Sequence, residues 1–326
     1  MKMNMSRWLK TMWIKAILLL FIVNCSTGFL DPPIDSYPPF QVPYGNIKLT
    51  FSVASDAQYF GGDNVNWFRH VCERIGIGGP GRFMISPGDM VPCQEIYYTI
   101  QTYIGFDYLW YPVVGNHEIE ILGNESESQD MIWLRNFNRS GNTLPGIVHT
   151  GPPGCVETTY SFDYGDVHFV VLNEYYNGTS DTGTDGDISD GLYDWMVEDL
   201  SANKKPLVLV FGHEPAYPQP DEESGRMRHE FDSLNQYPDH RDRFWQALVH
   251  FGVKAYVCGH THNYSSVNYD GVWQINAGHA KGTGDQGAKS TFIMFYVMEG
   301  GVIWYYVYRL NLDENRYELT SAKQII

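Results

Sequence analysis

The sequence predicts an α/β fold with much parallel strand pairing. Three observations predict it. Short apolar runs alternate with stretches of helical periodicity, and a polar motif follows each of five of those runs. Of the 326 residues, 43% are hydrophobic and 18% charged, enough apolar material for a sizeable core and too much for a disordered chain.

The elements follow in order. Residues 47–54 (IKLTFSVA) alternate like a strand and end at Asp56. A helix is expected over 67–75. Residues 83–85 form a short strand ending at Gly88-Asp89, and 108–114 another ending at Gly115-Asn116-His117. The run 167–172 (VHFVVL) suits a strand buried on both faces. Leu192, Trp195, Met196 and Leu200 share one helical face over 192–200, and LVLVF at 207–211 runs into Gly212-His213. Phe244, Trp245, Leu248 and Phe251 repeat the helical pattern over 241–251. A strand at 253–258 then ends at Gly259-His260. Two apolar strands around Gly300-Gly301, within 292–308, read as a hairpin and make the sheet mixed.

In α/β sheets the loops at the C-terminal strand ends converge on one crevice, where ligands bind. The five motifs are therefore expected to meet: Asp56-Ala57-Gln58, Gly88-Asp89, Gly115-Asn116-His117-Glu118, Gly212-His213-Glu214 and Gly259-His260-Thr261-His262. Together they offer carboxylates, amide oxygens and imidazoles, the donors of hard-to-borderline metal ions, and no thiolate. In four of the five motifs a glycine precedes the ligand and lets the backbone turn sharply and come close.

Taken in this order, the motifs resemble those of the calcineurin-like metallophosphoesterase family, over roughly residues 47–310. The segment 160–172 is similar to the family's central strand pair. The resemblance implies a four-layer α/β/β/α sandwich with mixed sheets, holding two divalent metal ions (Mn, Fe or Zn). It implies that Asp89 bridges the ions, that Asp56, Gln58 and His262 complete the first, and that Asn116, His213 and His260 complete the second. It also places His117 beside the scissile bond, with Glu118 orienting it.

The implied chemistry is metal-dependent hydrolysis of phosphoric esters by in-line attack of a metal-bridging hydroxide. Gln58 departs from the family's histidine. A neutral amide oxygen is the weaker ligand, so looser binding at the first ion and a shift towards Mn or Fe are expected; the alternative is that Gln58 does not ligate and the enzyme uses one tight ion or is inactive. A phosphomonoester preference is expected. The alternatives are a phosphodiesterase acting on nucleotides or lipid headgroups, and a catalytically weak surface binding protein on the same scaffold. Tyr264 and His279 are the expected substrate-lining residues, and residues 218–240 read as an insertion that shapes substrate choice.

Lys and Arg number 22 against 38 Asp and Glu, a net charge of -16, which disfavours binding to a nucleic-acid duplex. Residues 1–25 carry Lys2, Arg7, Lys10 and Lys15, no acid, and an apolar core at 16–23, the pattern of a signal peptide, with an N-terminal membrane anchor as the alternative. The expected location is exported: periplasmic, cell-surface or secreted. Cys25, in FIVNCSTG, resembles a lipoprotein cleavage site, so two readings stand: membrane attachment through a lipid on Cys25, or cleavage nearby and a soluble product. Residues 26–45 are rich in Pro and Tyr and read as a tether, and 46–326 as the metallophosphoesterase domain. Of the other cysteines, Cys258 reads as a buried thiol, and Cys93 and Cys155 are the expected disulfide pair.

Overall fold

The structure, a computed structural model, describes residues 38–58 and 64–325. The expected signal peptide, Cys25 and residues 26–37 of the tether lie outside them. In chain order the elements are β1 (Ile47–Val53), α1 (Asn64–Gly78), β2 (Phe83–Ser86), α2 (Cys93–Tyr103), β3 (Leu109–Pro112), α3 (Gln129–Phe137) and β4 (Ile147–Thr150). There follow β5 (Tyr160–Tyr164), β6 (Val167–Val171), α4 (Asp190–Ala202), β7 (Leu207–Phe211), α5 (Pro238–His250) and β8 (Ala255–Cys258). The last are β9 (Tyr264–Tyr269), β10 (Val272–Ala277), β11 (Thr291–Met298), β12 (Ile303–Asn311) and β13 (Arg316–Gln324).

The strands form two mixed sheets, one in the order β13-β12-β11-β1-β2-β3 and the other β4-β5-β6-β7-β8-β10-β9. In the first, β1, β2 and β3 run parallel. In the second, β6, β7, β8 and β10 do. The β11–β12 hairpin turns at Gly300-Gly301, where both glycines have positive φ.

Alternation along the strands sorts side chains into three cores. On β7, Leu207, Leu209 and Phe211 point into the space between the sheets, and Val208 and Val210 point outward. Phe51 and Phe83 of the first sheet meet Phe162 and Phe169 of the second in the inner core. Phe51 stacks on Phe295 at 4.9 Å and meets Phe169 edge-on at 5.4 Å, geometries that suit the ring quadrupole. The outer face of the first sheet packs against α1, α2 and α3 through Phe68, Ile96, Ile100 and Leu134. That of the second packs against α4 and α5 through Leu192, Met196, Phe244 and Leu248. The result is the α/β/β/α layering.

Two expectations are corrected. Cys93 and Cys155 are not paired; Cys72, Cys93, Cys155 and Cys258 are all buried free thiols. Cys155 Sγ instead lies 3.3 Å from the Thr158 hydroxyl and 3.1 Å from that of Thr159. The tether does not run free to residue 45. Phe40 donates its N–H to the Gly78 carbonyl (3.1 Å), and its ring packs on Tyr308 at 4.5 Å and under the Arg74 guanidinium at 4.3 Å. Among the described residues, no helix is long and apolar enough to cross a membrane.

Candidate metal centre

The loops that leave β1, β2, β3, β7 and β8 bring all seven expected ligands to one crevice. Five of them sit in the left-handed region: Asp56 (φ 54°), Gln58 (45°), Asp89 (56°), His260 (67°) and His262 (58°). That conformation costs a residue with a Cβ roughly 1–3 kcal/mol and clusters at functional sites. Cross-loop backbone bonds hold it here. Asp56 N–H donates to the Gly88 carbonyl (3.1 Å), Gln58 N–H to Asp89 (3.3 Å), and Gly259 N–H to His213 (2.8 Å). A Cβ on Gly115 would overlap Asp89 Oδ1, and one on Gly259 would overlap Asp56 Oδ2. These glycines make room for a neighbouring loop's ligand, a more specific task than a sharp turn.

The second-ion side chains converge on the Asn116 oxygen. Asn116 Oδ1 lies 3.1 Å from both His213 Nε2 and His260 Nδ1, and Asp89 Oδ1 lies 3.5 Å from His213 Nε2. The far nitrogen of each ring faces a carbonyl: His213 Nδ1 is 2.7 Å from Pro87 O, and His260 Nε2 is 3.0 Å from Asp232 O. A carbonyl can only accept, so the proton is assigned to that side and the other nitrogen's lone pair faces the crevice. Burial lowers the pKa of His213, and lowers those of His260 and His262 much further, keeping the rings neutral and able to ligate.

The first-ion group fits in part. Donor atoms of Asp56, Asp89 and His262 all lie within 4.8 Å of one another. His262 Nδ1 is 2.7 Å from Asp285 Oδ2 and also contacts Arg228 Nη1, while its Nε2 is 3.5 Å from Asp56 Oδ1. Gln58 differs. Its Nε2 donates to Asp89 Oδ2 (2.6 Å), and its Oε1 accepts from the Lys281 ammonium (2.6 Å). Burial and the neighbouring Asp89 charge push Asp56 well above the usual carboxylate range. Burial also pushes Asp89 up, but the neighbouring His213 and His117 imidazoles and the His117 backbone N–H outweigh it and leave Asp89 lowered.

His117 stands at the rim, with Nε2 3.7 Å from Asp89 Oδ2 and Nδ1 2.8 Å from Glu120 Oε1. The expected partnership with Glu118 is corrected. Glu118 is buried and accepts the backbone N–H groups of Asp89 (2.9 Å), Met90 (2.6 Å) and Gly115 (2.7 Å), so it braces two ligand loops, and Glu120 faces the imidazole. Glu174 braces a third loop, accepting from His213 N–H (2.9 Å), Glu214 N–H (2.7 Å) and the Tyr256 hydroxyl. Burial raises its pKa to about 7.

Tyr264 and His279 do not line the crevice. Tyr264 begins β9 with its ring in the inner core. His279 is fully buried, 3.0 Å from the Ala288 carbonyl, and burial lowers its pKa to about 4. The insertion does reach the crevice: the His229 ring packs at 4.2 Å on His260, and Arg228 touches His262 and Asp285 (3.2 Å). The sequence reading missed Glu120, Arg228, Lys281 and Asp285. One signal for Lys281 was present, since Gly278-His279-Ala280-Lys281 follows β10 as the ligand motifs follow their strands.

A family profile described as calcineurin-like phosphoesterase matches residues 50–264. No curated protein matches the chain. Among solved structures, GAP50, the anchor in the inner membrane complex of Plasmodium, is similar at 11% identity and TM-score 0.52, covering 85% of this chain and 88% of its own. Vacuolar protein sorting 29 from Cryptosporidium parvum is similar at 12% identity and TM-score 0.42, covering 84% and 96%. Vps29 from Entamoeba histolytica, complexed with zinc, is similar at 11% and 0.40, covering 85% and 99%. At these identities the likeness concerns the fold alone.

Proposed function

The chain belongs to the calcineurin-like phosphoesterase family, and on that premise we propose that it is a metal-dependent hydrolase of phosphoric esters that prefers phosphomonoesters. The observation that carries the reading is the convergence of Asp56, Asp89, Asn116, His213, His260 and His262 on one crevice, with His117 at its rim. Divalent metal held there would polarise the phosphoryl oxygens and lower the pKa of an attacking water. His117, with Nδ1 2.8 Å from Glu120 Oε1, presents Nε2 to the crevice, where it can hand a proton to a leaving alkoxide. Asn116 can turn its amide N–H groups towards a phosphoryl oxygen while its carbonyl oxygen faces the two imidazoles.

The monoester preference rests on cations. Arg228 and Lys281 reach the crevice from two different loops, and a phosphomonoester carries one more negative charge than a diester. This local field opposes the chain's overall charge of -16 inside the crevice. We place the reaction outside the cytoplasm on the strength of the basic, then apolar, start of the chain; the intact mass of the mature protein tests attachment through Cys25.

A second reading, a binding protein on this scaffold, is favoured by one observation: Gln58 bonded to Lys281 at the first-ion position. One assay decides between them. Nitrophenyl phosphate and bis-nitrophenyl phosphate are supplied to the Mn-loaded chain and to the chelated chain. Chelator-sensitive turnover, faster on the monoester, supports the proposal. Turnover of neither under any metal overturns it in favour of the binding protein, and faster turnover of the diester overturns the monoester preference.

A further inference from the structure

We propose that the Lys281 ammonium is a resident cation at the first-ion position, so that this chain holds one divalent ion, at Asp89, Asn116, His213 and His260, beside a fixed lysine. The proposal rests on the reading of the crevice as a metal centre and adds how many ions it takes.

Placement is the first argument. Lys281 Nζ lies 2.6 Å from Gln58 Oε1 and 3.5 Å from His262 Nε2, among the side chains that would serve a first ion. Lys281 is only 8% exposed, although lysine is almost never buried without a partner.

The second argument is the Gln58 amide. Its N–H bonds Asp89 Oδ2 and its oxygen bonds the ammonium, so both ends are committed. Turning the amide to offer its oxygen elsewhere would set N–H against N–H at Lys281 and strip Asp89 Oδ2 of its donor. While the lysine stays, Gln58 is an acceptor for an ammonium and not a metal ligand.

The third argument is that the lysine's backbone is held on both sides. Ala280 N–H donates to the Ser55 carbonyl (2.8 Å), next to Asp56, and Gly282 N–H donates to Ser290 Oγ (3.0 Å). Gly282 has φ 56°, and a Cβ there would overlap Trp67, so this turn tolerates little rearrangement.

The test uses the metal-stripped mature chain titrated with Mn(II) alone. Bound metal per chain is read by mass spectrometry, and Mn–Mn coupling by electron paramagnetic resonance. The expected result is one Mn per wild-type chain with an uncoupled spectrum. Lys281→Met should bind a second Mn at least tenfold more tightly than wild type and give a coupled spectrum, and Lys281→Arg should stay at one. Two coupled ions in the wild type would overturn the proposal, whatever the variants do. So would a Lys281→Met chain that melts cooperatively yet still binds one ion. Failure of the wild type to bind any Mn would instead overturn the metal-centre reading on which the proposal stands.

Discussion

Truncating Glu118 to alanine should unfold the ligand loops before it disarms any acid or base. The carboxylate is the acceptor for three buried backbone donors, at 2.9 Å (Asp89), 2.6 Å (Met90) and 2.7 Å (Gly115). Each buried donor left without a partner costs about 1–3 kcal/mol, so the three together cost about 3–9 kcal/mol. Water entering the space left by the side chain recovers part of this, which favours the lower half of that range. Against a typical total stability of about 5–15 kcal/mol, such a loss is severe. Glu118→Gln should be milder. Its oxygen can still serve Asp89 and Gly115, which share Oε2, but its amide nitrogen would oppose the Met90 N–H, a loss of about 1–3 kcal/mol. Denaturant unfolding of the metal-free chain measures both, and turnover per folded, metal-loaded molecule is measured beside it. The reasoning is refuted if Glu118→Gln keeps wild-type stability while losing turnover a hundredfold, because Glu118 would then act through His117.

Further outcomes follow from the same geometry. His117→Ala should lower kcat by about 10²–10⁴ while leaving bound metal unchanged, and Glu120→Gln should give a smaller fall in the same direction; loss of metal in either would make His117 a structural residue or ligand. Burial holds Glu174 at about 7 in the folded chain against an ordinary 4.5, so between these values the folded state keeps a proton that the unfolded state has lost. Stability from this group is therefore present at low pH and falls as pH rises from about 4.5 to about 7, by roughly 3 kcal/mol. Unfolding curves of the metal-free wild type and Glu174→Gln at pH 5 and pH 8 should diverge in that direction, and parallel curves would contradict it.

What could be read beforehand was local in origin. The strands at 47–54, 207–211 and 253–258 announce themselves by apolar runs of strand length, and each is closed by a polar motif, so the crevice could be located from sequence order. Helix α2 could not, because CQEIYYTIQTY buries only Cys93, Ile96 and Ile100 and leaves Tyr98 and Tyr103 exposed. Glu118 adjoins His117 in the chain, yet adjacent residues in a tight turn point different ways, and the carboxylate that meets the imidazole is three residues on. Arg228 and Asp285 come from loops with no ligand motif, and the place of both and of Lys281 in the crevice depends on how the insertion and the loop after β10 fold back on the sheet edge. Cys93 and Cys155 have only loop composition in common, which says nothing about the distance between them.

Anomalous scattering from a crystal of the Mn-loaded chain tests most directly whether these loops build a metal centre. The account predicts a strong peak bounded by Asp89, Asn116, His213 and His260. A well-ordered crevice without density there, or manganese bound only elsewhere on the molecule, would contradict it.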